Sequence, residues 1–158
     1  MSVKVDNQSK KLSKLVESKS KLPRYEIVLP PFIIKKSTQK RLKPNSVIDT
    51  ALQSLELWMI DDSSMLVAKL SLQKDGRHYK LLITDTTKEA LDTKEYKKAF
   101  FASLGYIKSR SIELNHKIDI SSLNFEDISI RQNTKLLAKA KLVWLNQKIS
   151  LQITKVDV

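Results

Sequence analysis

Few residues of this 158-residue chain are placed to do covalent chemistry. There is no cysteine, which removes disulfides, thiolate metal sites and a cysteine nucleophile, and the two histidines, His78 and His116, stand in separate segments, too few for a histidine-rich metal centre. Asp61, Asp62 and Asp75 lie in polar stretches that read as turns, where aspartate bonds its own backbone, rather than as an acid/base pair. Ser18-Lys19-Ser20-Lys21 holds serine and lysine close together, but in a polar arm with no surrounding apolar pattern to fix them. The only glycines are Gly76 and Gly105, so neither a Walker loop nor a dinucleotide-binding turn can be written. The expectation is a protein that is not an enzyme and needs no cofactor.

The chemistry left is recognition. Lys and Arg total 29 against 17 Asp and Glu, a formal net charge of +12. Such a surplus attracts nucleic acid, anionic lipid or an acidic protein. Residues 1–22 read as a flexible basic arm carrying Lys10, Lys11 and Lys14, and a second cluster follows Pro30-Pro31 as Lys35, Lys36, Lys40, Arg41 and Lys43. Tyr25, Phe32, Trp58, Tyr79 and Trp144 are the aromatics that could stack on bases, although strand alternation turns Tyr79 and Trp144 inward. No run approaches the roughly 18 apolar residues of a membrane span. The chain reads as cytoplasmic, with no transmembrane segment, and peripheral to a membrane only through a larger complex.

The elements that would position these groups are mainly strands. Tyr25 to Leu29 and Phe32 to Ile34 favour an edge or bent strand around the paired prolines. Leu55 to Ile60, Met65 to Leu72 and Tyr79 to Thr84 form a meander with turns at Asp61-Asp62-Ser63-Ser64 and Asp75-Gly76, the latter read as a type I′ turn. Residues 86–104 (TTKEALDTKEYKKAFFASL) switch to a helix-favouring composition, with Gly105 as a stop and Ala90, Leu91, Tyr96, Ala99, Phe100 and Leu104 as a buried stripe. Strand patterns return at Ile128 to Ile130, Lys135 to Trp144 and Ile149 to Val156.

The second half rewrites the first. Laid without a gap over His116–Thr154, Ser46–Thr84 is identical at eleven of 39 positions, from Ile48/Ile118 and Asp49/Asp119, through Glu56/Glu126 and Ile60/Ile130, to Thr84/Thr154. Ordinary residue usage gives about two or three. Parity agrees as well: Leu66, Ala68, Leu70 and Leu72 match Leu136, Ala138, Ala140 and Leu142, while Lys69 and Lys139 face the other way.

In the second copy, Asn133-Thr134, then Leu137-Ala138-Lys139-Ala140-Lys141, the apolar run Leu142-Val143-Trp144-Leu145, the turn Asn146-Gln147-Lys148 and the strand Ile149–Thr154 follow one another. This order resembles the SpoA, or surface-presentation-of-antigens, domain of flagellar motor-switch and type III secretion cytoplasmic-ring proteins. The family's Asn-Gly and its strand glycine are replaced here by Asn133-Thr134 and by Leu70 and Ala140, and its Gly-Asp is missing from both copies. The resemblance implies a fold that is mainly β with one connecting helix, as two tandem SpoA-like antiparallel repeats: 23–85 and 105–158, joined by a helix at 86–104. It implies an interaction subunit of a flagellar or type III secretion complex, pairing repeat to repeat or as a homo-oligomer. It also implies an apolar surface for an export-apparatus partner on Leu142, Val143, Trp144 and Leu145, with Val143 and Leu145 as the outward pair by parity. The alternatives are a small basic β protein that binds nucleic acid, and a virion or pilus structural protein with duplicated β units.

Overall fold

The computed structural model describes residues 22–157, and the basic arm, with Lys10, Lys11 and Lys14, lies outside them. Ten strands make one sheet: β1 (Arg24–Val28), β2 (Val47–Leu52), β3 (Glu56–Ile60), β4 (Met65–Asp75), β5 (His78–Ala90), β6 (Phe101–Lys108), β7 (Lys117–Asp119), β8 (Ile128–Gln132), β9 (Lys135–Leu145) and β10 (Lys148–Val156). Every pairing between them is antiparallel. One short helix, α1 (Lys36–Lys40), follows β1, and Lys94–Tyr96 forms a single 3-10 turn.

The strand order is β2-β10-β9-β8-β6-β1-β3-β4-β5-β7. Exchanging the first five strands for the last five gives the same order read from the opposite edge, so the strand order is symmetric about the β1–β6 pair. The outermost strand of each half lies on the other half: Leu151 of β10 pairs with Ile48 of β2, and Leu81 of β5 pairs with Ile118 of β7. The lead-in to each exchanged strand repeats the same bonds. Asn45 N–H donates to the Ile153 carbonyl at 2.8 Å, and Asn115 N–H donates to the Ile83 carbonyl at 2.9 Å. Both asparagines are left-handed, at φ 76° and 68°, a conformation asparagine tolerates better than most residues. Asp49 Oδ1 accepts from Ala51 N–H and Asp119 Oδ1 from Ser121 N–H, so the matched aspartates do the same local work.

Alternation along the strands turns one side chain in two toward a single interior. Leu57, Met59, Leu70, Leu81 and Ile83 from the first half meet Ile118, Ile128, Ile130, Leu151 and Ile153 from the second in one cluster. Neither half closes a core of its own. A smaller cluster of Val28, Ile60, Leu66, Leu91, Ala99 and Phe101, flanked by Trp58 and Tyr96, includes side chains supplied by the linker between the halves.

Several expectations need correcting. No helix forms over 86–104: residues to Ala90 continue β5, Leu66 pairs with Glu89, and β6 begins at Phe101. The helix-favouring composition is overridden by an open ladder position beside the first residues of β4, which a helix would leave without partners. Leu91, Ala99, Phe100 and Leu104 are buried as the stripe requires, but on strand and loop backbone. Gly105 is not a helix stop; it sits inside β6 at φ +129°. β1 is central, because Pro30 and Pro31 fall after its last ladder residue. The Phe32–Ile34 stretch contributes one bridge, from Phe32 to Phe100. The β4–β5 turn is centred on Gly76 and Arg77, and only the glycine has positive φ, which matches a type II′ turn rather than I′. The gap-free alignment also slips over β3. Met59 faces Ala68 as Ile130 faces Ala138, so Ile60 is not the counterpart of Ile130 and Glu56 is not that of Glu126. Ile60 belongs to the smaller cluster and Ile130 to the main core.

Candidate docking surface

The apolar run expected to bind a partner lies at the far end of β9. β8 leaves the ladder at Ile128 opposite Ala140, and beyond it Leu142 N–H donates to the Phe125 carbonyl at 2.9 Å. From there β9 runs on beside β10 alone, with Trp144 opposite Ile149. Leu142 and Val143 are half-buried, whereas Trp144 is 57% exposed and Leu145 46%. Parity is therefore a poor guide at this end. Trp144 has the inward phase of Leu142, but β8 no longer flanks the strand there and the ring stays in solvent. Val143, assigned outward, is the less exposed of the two.

The exposed indole instead walls an open groove of about 700 Å³ that both halves build. Leu55 and Leu72 come from the first half and Ile120, Phe125 and Leu142 from the second, all half-buried and packed against the main core. Tyr79, 49% exposed, lines the groove with Trp144, so it too is not buried as parity suggested. Leu72 and Leu142 occupy matching positions of the two halves, opposite Leu81 and Leu151. Among the ionisable side chains lining it, Glu126 is the one carboxylate. Sequence reasoning missed Leu55, Ile120 and Phe125, although Leu55 and Phe125 are each an apolar residue between polar neighbours.

The second basic cluster lies on the surface. Lys35, Lys36, Lys40, Arg41 and Lys43 are all exposed on and around α1, and none of them has an ion-pair partner among the described residues. Other cations are engaged in the sheet. Arg131 pairs with Glu26 and lies 5.4 Å from the Phe101 ring, Lys69 lies 5.5 Å from the Trp58 ring, and Lys139 donates to Ser129 Oγ at 2.7 Å. Of the remaining stacking candidates, Phe32 is buried, while Tyr25 and Trp58 are half-buried.

Of the residues first considered for catalysis, Asp75 and His78 are register partners flanking the β4–β5 turn, and Ser18-Lys19-Ser20-Lys21 lies outside the described residues. His78 and His116 are exposed, one beside the β4–β5 turn and the other in the lead-in to β7. Asp61 Oδ1 accepts from the backbone N–H groups of Ser63 and Met65, both at 2.9 Å, which is a turn role. No group of three or more His, Asp or Glu side chains comes together as a metal site among the described residues. Two tyrosines have raised pKa values. Burial, then a hydrogen bond to Glu89 and the charges of Glu89 and Glu95, push Tyr96 up to about 12, and burial with the charges of Asp61 and Asp62 raises Tyr25.

No helix among the described residues is long and apolar enough to cross a membrane. Comparison with protein-family models and with curated proteins found no match to this chain.

Proposed function

We propose that this chain is a non-enzymatic scaffold, an interaction subunit of a flagellar motor-switch or type III secretion cytoplasmic complex. In this reading it carries two SpoA-like repeats, and one polypeptide does what a pair of such domains does. The exchange of β2 and β7 between the halves carries the reading, because intertwined β pairing is what the resemblance implies for these domains. The mechanism is assembly. A groove with an apolar floor and two aromatic side chains suits the anchor residues of an amphipathic helix, spaced at i, i+3 or i+4 and i+7, from an export-apparatus partner. Tyr79 and Trp144 present large, rigid contact area of the kind that dominates binding energy. Unpaired surface lysines would speed the approach of an acidic component.

Affinity capture from host lysate treated with nuclease, comparing the natural chain with Trp144→Ser, tests the proposal. Ring and export-apparatus proteins should be recovered by the natural chain and depleted severalfold with the variant. Recovery dominated by nucleic acid, lost steeply as salt rises and indifferent to Trp144, would replace the scaffold by a nucleic-acid-binding module.

A further inference from the structure

Between Glu26 and Asp49 the chain carries no acidic residue, yet it places five cations within Lys35–Lys43. This stretch is held on the body by its few apolar or amide groups. Phe32 and Ile34 are buried, Leu42 packs against the main core, and Gln39 Nε2 donates to the Ile34 carbonyl at 2.7 Å. The five cations are all exposed. Ile33 and Lys35, on either side of buried Ile34, are both exposed, and no residue of α1 is fully buried. Ile33 is 65% exposed, the most exposed large apolar side chain among the described residues.

An isoleucine in solvent has no role in a purely electrostatic contact with phosphates. Beside five unpaired cations it has the composition of a membrane-surface element, in which the apolar residue enters the headgroup and acyl boundary while the cations meet anionic headgroups. We propose that the Ile33–Lys43 segment is a docking surface for an anionic phospholipid bilayer, bringing the scaffold directly onto a membrane. The assignment goes beyond the scaffold reading and does not depend on it, since none of these residues lines the groove of Trp144.

Co-sedimentation of the full chain with vesicles tests it. Vesicles of phosphatidylglycerol mixed with phosphatidylcholine should retain the protein, and phosphatidylcholine alone should not. The double change Lys35→Gln/Lys36→Gln should lower partitioning by roughly 25-fold, at about fivefold per cation. Ile33→Ser, which leaves every charge in place, should lower it roughly tenfold. Ile33, Lys35 and Lys36 are all exposed, so thermal unfolding should stay unchanged. Three results would overturn the assignment: equal retention by both vesicle types, retention lost only with Lys10→Gln/Lys11→Gln/Lys14→Gln, or Ile33→Ser without effect while a duplex oligonucleotide competes the protein off the vesicles. The last would assign the cations to nucleic acid.

Discussion

Replacing Ile118 with alanine probes the strand exchange where it is thinnest. β7 is three residues long, and Ile118 is its one buried side chain, 7% exposed and opposite Leu81 of the other half. The substitution removes three carbons, about 2.4 kcal/mol of transfer free energy at roughly 0.8 kcal/mol per methylene. A residual cavity adds to that, and losses for such changes run to about 2–5 kcal/mol. For a domain of this size, about 3 kcal/mol corresponds to a fall of roughly 10 °C in Tm. The chain carries its own reporters. Trp58 lies on β3 of the first half and Trp144 on β9 of the second, so the single variant Trp144→Phe keeps a reporter in the first half and Trp58→Phe keeps one in the second. Guanidinium titrations followed by fluorescence in the two backgrounds should give the same midpoint, and Ile118→Ala should lower both equally with an unchanged slope. Ile118 belongs to the second half by sequence but packs on the first, so an effect confined to Trp144 would refute the shared core. Separate midpoints without the mutation would refute it as well.

Three further outcomes follow from local geometry. Trp144→Ser should leave stability within about 0.5 kcal/mol, as expected for an exposed side chain, while weakening partner capture; a large loss of Tm would make the indole structural. Gly105→Ala should destabilise by roughly 1–3 kcal/mol, because φ is +129° and a Cβ would stand 3.2 Å from the Ser122 carbonyl oxygen, and an unchanged urea midpoint would contradict this. Tyr96 is neutral when protonated, and its folded pKa of about 12 exceeds the ordinary 10, so the unfolded chain releases that proton first. Stability should therefore fall as pH rises from about 10 toward 12, and Tyr96→Phe should flatten the decline; an equal decline in the variant would place its cause elsewhere.

The legible parts of the fold were those where local pattern and tertiary context agree. Strands β3, β4, β9 and β10 follow from alternation, and Asn133 and Asn146, both left-handed, mark turns that the sequence located. The exchange itself was not legible. Alternation says which face of a strand is buried but not which neighbour it pairs with, and β7 has only three residues to signal its place. Residues 86–104 misled because composition reports intrinsic preference, whereas an unpaired ladder beside Met65–Ala68 decides the backbone there. At the groove, parity failed for Trp144 and Tyr79, since alternation assumes a neighbour on the inward side and both rings lie near hairpin ends. The basic cluster was visible in sequence, but the setting of Ile33 was not, because neighbouring Ile33 and Ile34 differ only in which of them the bend after the prolines turns outward.

The functional reading rests on one chain supplying both halves of an exchanged pair. With no natural cysteine, Val47→Cys and Gln152→Cys give an unambiguous probe of that claim. The two positions are register partners of β2 and β10, and paired residues in an antiparallel ladder lie about 4.5–5.5 Å apart at Cα, within disulfide range. Mild oxidation followed by non-reducing electrophoresis and peptide mapping should yield a monomer with an internal 47–152 bridge, at a yield independent of protein concentration. A disulfide-linked dimer that grows with concentration would show that β2 pairs with β10 of a second molecule and would contradict the account.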